Sequence, residues 1–304
     1  MFILKIMVFT PFEPDRPETK RRRFGAIPVR TLVPNLITLV ALCAGLTAIR
    51  MSVEGRLDLA LAAIVFAAML DGIDGRIARM LKGTSRFGAE LDSLADFVNF
   101  GVAPALILYF WDLHDLKSVG WIAALVFAIC AGLRLARFNV MIDDPNRPAW
   151  AGNYFTGMPA PAGAITVLLP IYLHFLGLQG GIVLTWFVFV YTLTIAFLMV
   201  SRIPVFSGKK IGQRVSPEMV LPVFMLTVIL LALLISYPWE VLTVGTLLYL
   251  TSLPFGWLSY REQERKAASA AAPAVKAAAG EPRPDAISGE RPRVDDHDRP
   301  SRFN

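Results

Sequence analysis

Long apolar runs, broken by short polar connections, fill residues 33–258. Eight stretches have the length and composition of bilayer-crossing helices: 33–50, 57–80, 92–111, 119–140, 162–178, 181–200, 219–236 and 239–258. About 20 residues rising about 1.5 Å each cover the hydrocarbon core of a membrane. The pattern predicts an all-α integral membrane protein, a polytopic bundle of about eight transmembrane helices. The third stretch is the least apolar, because it opens with Asp92 and Asp96 and contains Pro104, and the fifth is short.

The flanks read differently. Residues 1–32 form a basic N-terminal segment in which Arg22–Arg30 suits a short amphipathic helix on the membrane surface, limited by Pro28. Met1–Thr10 is apolar but too brief for a signal peptide and contains Lys5. Residues 259–304 are rich in Ala, Pro, Gly and charge with no apolar period, which predicts a disordered tail, with a helix possible over Arg261–Ala272.

Composition narrows the class. Of 304 residues, 55% are hydrophobic and 18% charged, with a mean hydropathy of +0.54. Soluble domains carry about a quarter charged residues, so an ordinary cytosolic enzyme and a disordered protein are both excluded. Cys43 and Cys130 lie in apolar runs and read as small core residues, not as a disulfide framework. A net charge of +6 suits nucleic acid in a soluble protein, but here it follows the membrane. With the N-terminus in the cytoplasm, the outer connections hold only Arg50, Arg56 and Lys117. Even without the tail, 18 basic residues stand against these 3, the bias expected of cytoplasmic loops. The expectation is a multi-pass protein of a bacterial inner membrane, both termini cytoplasmic, without a nucleic-acid partner.

Acidic side chains are costly inside a bilayer and mark function there. They concentrate in one place: Asp71 and Asp74 at the end of the second stretch, Asp92 and Asp96 at the start of the third. At about 100° per residue, Asp71, Asp74, Gly75, Ala78 and Arg79 share an arc of about 140°. Asp92 and Asp96, four apart, share a face of the next helix. Two antiparallel neighbours joined by a short loop thus bring four carboxylates together near the cytoplasmic surface. Four unpaired anions so close repel one another, and divalent cations remove the conflict. With no Cys or His nearby, the donors suit Mg²⁺ or Mn²⁺ better than Zn²⁺. Gly75 and Ala78 leave the face open, Gly88 loosens the start of the next helix, and Arg79 offers a planar fork suited to phosphate. Metal, carboxylates and arginine together point to phosphoryl-type transfer. Two other readings are interhelical salt bridges to Arg76, Arg79, Lys82 or Arg86, and a proton relay in a transporter.

Written out, residues 71–96 read D-x2-D-G-x2-A-R-x8-G-x3-D-x3-D, eight fixed residues over 26 positions. This resembles the signature of the CDP-alcohol phosphatidyltransferases, with every fixed position met. The resemblance implies a six-helix catalytic core over about residues 33–200 within a transmembrane domain of residues 33–258, with the last two spans outside that core. It implies transfer of a phosphatidyl group from CDP-diacylglycerol to an alcohol with release of CMP, in a homodimer among membrane lipids. It further implies that Asp71, Asp74, Asp92 and Asp96 hold two divalent cations, Mg²⁺ or Mn²⁺, with Asp96 also the general base. Gly75, Arg79 and Ser85 match CDP-diacylglycerol contacts. Asn35 and Thr38, in Pro34-Asn-Leu-Ile-Thr38, resemble the first-helix motif of the nucleotide pocket.

The signature does not choose the alcohol, but three further segments resemble the branch of the family that uses L-serine. They are Asp96–Ala105, Arg134-Leu-Ala-Arg137-Phe-Asn139 and Phe155-Thr-Gly157-Met-Pro159-Ala-Pro161. Arg134 and Arg137, at i and i+3, suit the serine carboxylate, or else anchor the helix by snorkelling to the headgroups. Asn99, one turn beyond Asp96, suits substrate or a helix–helix hydrogen bond. Other family acceptors are glycerol 3-phosphate, inositol phosphate and choline.

Overall fold

The computed structural model describes residues 29–81, 83, 85–142, 154–201, 203–206 and 217–280. Residues 22–28 of the expected surface helix and the last part of the tail, from 281, lie outside these residues, as do Lys82 and Arg202, while Val29 and Arg30 begin the first membrane helix. The chain divides into two compact units, 1–135 and 136–304.

In the first unit α1 (Val29–Val53) pairs with α2 (Leu57–Met80) as an antiparallel hairpin. The buried positions of α1 are Pro34, Thr38, Ala41, Gly45, Ala48 and Ser52, about one per turn, and all those after Pro34 are small. Small residues at this spacing let helix backbones approach closely where lipid supplies no hydrophobic drive. Leu36, Leu39, Val40 and Leu46 point outward. Cys43 is exposed on the same helix, not in the core, because it falls between the buried positions Ala41 and Gly45.

The third membrane helix begins at Arg86, earlier than its apolar content alone indicates. Ser85 caps it, its Oγ accepting from the Gly88 N–H at 3.0 Å. It runs as α3 (Arg86–Asp96), a π turn (Phe97–Val102) and α4 (Ala103–Trp111). The π turn immediately precedes Pro104, which has no N–H to give and whose ring crowds the preceding turn of a regular helix. A short 3₁₀ turn (Leu113–Leu116) leads to α5 (Ser118–Ile142), which continues into the second unit.

The second unit contains α6 (Ala160–Val167), α7 (Leu169–Phe175), α8 (Ile182–Val200), α9 (Pro217–Ser236) and α10 (Pro238–Gly280). The fifth apolar stretch is therefore two short helices. Pro170 cannot donate to the Thr166 carbonyl, and that carbonyl accepts from Tyr191 Oη at 2.7 Å. A two-stranded antiparallel ribbon joins β1 (Tyr154–Thr156) to β2 (Pro204–Phe206), with Phe155 opposite Val205. Three-residue strands are too short to leave an alternating pattern in the sequence. The helix α10 continues through 259–280, where the composition predicts disorder. Its last part is largely alanine, the strongest helix former.

Among the described residues six helices are long and apolar enough to cross a membrane. The other two predicted spans correspond to α2, which carries the acidic and basic residues of the signature, and to the short α6–α7 pair. Nearly every residue of α9 is exposed, including Leu221, Phe224, Leu226 and Ile229. A helix apolar all round and uncovered belongs in lipid. The chain is a helical, multi-pass membrane protein.

Candidate active site

The acids of the first unit converge as the helical spacing predicts. Oxygens of Asp71, Asp74 and Asp92 lie within 4.8 Å of one another. Asp96, one turn beyond Asp92, stands beside Asp71, close enough for the two carboxyl groups to act on each other. The donor set tests whether a cation belongs here: three carboxylates from two helices lie within reach of a single ion, with a fourth beside them. Such all-oxygen sets suit Mg²⁺ or Mn²⁺. Among the described residues Arg76, Arg79 and Arg86 form no ion pair with these aspartates, and Lys82 lies outside the described residues.

A cavity of about 180 Å³ opens beside the acids. It is lined from α1 by Asn35 and Thr38, from α2 by Asp74, Gly75 and Arg79, and from the following turn and α3 by Ser85 and Asp92, among others. The five positions likened to nucleotide contacts thus share one cavity with two of the acids. Thr38 Oγ1 donates to Asp74 Oδ2 at 2.8 Å, with the Pro34 carbonyl 3.1 Å away. Reading the sequence missed this bond, because it joins residues 36 apart. The only local signal is the small polar residue at position 38 among apolar ones.

The two glycines differ in purpose. A Cβ at Gly75 would meet no protein atom nearer than Arg79 Nη1, at 3.8 Å, so the position stays small on the side of the cavity. A Cβ at Gly88 would lie 2.7 Å from Asn35 Oδ1 and 3.1 Å from Ser85 Oγ. Gly88 therefore lets α1 and the cap of α3 close together, which is a tighter role than loosening the start of the helix.

The candidate acceptor residues separate. Arg134 is buried and close enough to Asp71 and Asp96 to act on their charge. A buried guanidinium beside carboxylates is not a snorkelling anchor, whose head stays in water. Arg137 belongs to the second unit and turns to the end of α8: Nη1 donates to the Val200 carbonyl at 2.7 Å and Nη2 to the Ser201 carbonyl at 3.1 Å. It caps orphan carbonyls and complements the helix dipole. Gly157 closes the same corner with φ +80°, where a Cβ would lie 2.8 Å from the Ser201 carbonyl. Asn99 is 1% exposed inside the π turn, and its Oδ1 has no hydrogen-bond partner among the described residues.

The family model described as CDP-alcohol phosphatidyltransferase matches residues 31–197, more than half of the chain. The chain belongs to the CDP-alcohol phosphatidyltransferase family. A second model, CDP-alcohol phosphatidyltransferase 2, matches residues 218–254, so family likeness extends into the last two spans. The chain is similar to the CDP-diacylglycerol–serine O-phosphatidyltransferase of Mycobacterium leprae (strain TN), 41% identical over 242 residues, 79% of this chain and 78% of that protein. The enzyme of the same name from Mycobacterium tuberculosis (strain ATCC 25618 / H37Rv) is 40% identical, covering 76% of this chain and 79% of its own length. That of Helicobacter pylori (strain ATCC 700392 / 26695) is 36% identical, covering 75% and 91%. In this family setting the acids and cavity sit on the helices that the six-helix core is expected to contain.

Proposed function

We propose that this chain is a serine O-phosphatidyltransferase, moving the phosphatidyl group of CDP-diacylglycerol to the hydroxyl of L-serine and releasing CMP. The observation that carries the reading is the union of the aspartate cluster with the cavity that holds the first-helix and signature residues. The identity of 36–41% to serine-using relatives over most of the chain supports the acceptor.

The chemistry follows from the side chains. Asn35, Thr38, Gly75, Arg79 and Ser85 surround the nucleotide end of the donor, Arg79 presenting its fork to phosphate. Asp71, Asp74, Asp92 and Asp96 hold two divalent cations. These ions, when bound, withdraw charge from the pyrophosphate and ease departure of CMP. Asp96 takes the proton of the serine hydroxyl as that oxygen bonds to the lipid-side phosphorus, and the bond from this phosphorus to the CMP oxygen breaks. Arg134, already beside Asp71 and Asp96, receives the serine carboxylate.

CMP release should be compared side by side with serine, glycerol 3-phosphate, inositol phosphate and choline in detergent. Serine alone should drive it, and faster release with another acceptor would reassign the reaction. Gly75→Ala should fold normally yet raise the KM for CDP-diacylglycerol roughly tenfold, because a methyl group enters the nucleotide space; an unchanged KM places the nucleotide elsewhere.

The orientation is part of the proposal. A soluble nucleotide with membrane-bound acyl tails is served by a site at a cytoplasmic helix end, in a bacterial inner membrane, with both termini inside and two chains per assembly. A cysteine at Ser85, with Cys43 and Cys130 removed, should react with an impermeant reagent only from the cytoplasmic side. Reaction from the outer side would overturn the topology.

A further inference from the structure

The helix that carries Asp92 and Asp96 is clamped just beyond the acids, and the clamp includes a residue that no chemistry of the site uses. Asp96 is followed at once by the π turn, and Asn99 within it is buried with an unpartnered Oδ1. It lies against Gly45 of α1. A Cβ at Gly45 would overlap Asn99 Oδ1 and would lie 2.9 Å from Asn99 Cγ and 3.2 Å from its Cα. A side chain there must displace the Asn99 amide and presses on the backbone of the π turn through the Asn99 Cα. The opposite side is also tightly packed. A Cβ at Gly101 would lie 3.0 Å from Ala131 Cβ, and one at Gly132 3.1 Å from the Phe97 ring.

On α1, Gly45 is seven residues from Thr38, two turns along the same buried face. Thr38 bonds Asp74 of α2, while Gly45 receives Asn99 beside Asp96. One helix face therefore touches both acid-bearing helices, one through a hydroxyl and one through the absence of a side chain. A π turn shifts the phase of a helix and recurs at functional sites. Here the phase before the turn faces Asp92 and Asp96 to α2, and the contact with Gly45 fixes where the turn sits.

We propose that Gly45 is a positioning residue: it seats Asn99 and so sets the placement of Asp96 and Asp92 against Asp71 and Asp74. The proposal rests on the metal reading above. Groups that orient metal-binding side chains typically govern affinity and activity by about 10- to 100-fold.

The test is a cycle of Gly45→Ala, Asn99→Ala and both together, in purified full-length protein, with Mn²⁺ affinity, kcat and melting temperature measured on each. Gly45→Ala should weaken Mn²⁺ binding and lower kcat, each by about tenfold or more. The double variant should return to within about threefold of Asn99→Ala alone, because the overlapping atoms are gone. That recovery separates displacement of the acids from a general packing defect, which a second truncation would deepen. Wild-type Mn²⁺ affinity and kcat in Gly45→Ala, or a double variant no better than Gly45→Ala, overturns the proposal. If Gly45→Ala does not fold, a folded, Mn²⁺-binding double variant still supports it, and a double variant that also fails to fold overturns it. Absence of Mn²⁺ binding by the wild type would instead strike the metal reading itself.

Discussion

Asp71→Asn, Asp74→Asn and Asp92→Asn should each abolish phosphatidyl transfer while leaving the fold and membrane insertion intact. Asparagine keeps the shape of the side chain and removes the charge. In a cluster whose oxygens lie within 4.8 Å of one another, that charge is what holds a divalent cation. The Thr38 contact survives Asp74→Asn, because the asparagine can still accept from Thr38 Oγ1, or donate to it while that hydroxyl turns to the Pro34 carbonyl. Asp96→Asn differs in kind. Its loss should lower kcat by about 10²–10⁴-fold, the usual range for a general base, with CDP-diacylglycerol binding less affected because Asp71, Asp74, Asp92 and Arg79 remain. Initial rates with a binding measurement on each variant decide this. Normal turnover by Asp96→Asn would remove the base assignment.

The two arginines of α5 should behave oppositely, although the sequence presents them as a pair. Arg134→Lys retains charge and loses the planar fork, so the serine KM should rise roughly tenfold or more with little change in CDP-diacylglycerol binding. Arg137→Lys should act on the second unit instead, since the guanidinium bridges the Val200 and Ser201 carbonyls. Lysine cannot span both, so the melting temperature should fall while the serine KM stays near wild type. Saturation curves in serine together with thermal unfolding in detergent distinguish the two. A raised serine KM in Arg137→Lys alone would exchange the roles.

Legibility followed the range of each interaction. The apolar segments and the convergence of Asp71, Asp74, Asp92 and Asp96 are readable because spacings of three and four residues fix a helix face locally. The π turn is not readable in the same way: Pro104 marks a disturbance, but the residues packed around the turn, Gly45, Ala131 and Gly132, are distant in sequence. The break between α6 and α7 has a local cause in Pro170, yet its tolerance depends on Tyr191, 25 residues from the carbonyl it satisfies. Arg137 is 63 and 64 residues from its acceptors, so its sequence neighbourhood allows either a ligand or a cap. Beyond residue 258 the sequence allows a helix over Arg261–Ala272 within a tail-like composition, and α10 runs on to Gly280 because its alanine run, though low in bulky apolar side chains, favours helix.

The most direct measurement follows phosphatidylserine and CMP together in the purified protein, with CDP-diacylglycerol and labelled serine, in detergent and without any ion gradient. Excess chelator should stop both products, and Mg²⁺ or Mn²⁺ in excess of the chelator should restore them in equal amounts. Phosphatidylserine formed in excess chelator, or CMP released without phosphatidylserine, would contradict a metal-dependent serine transfer at this site.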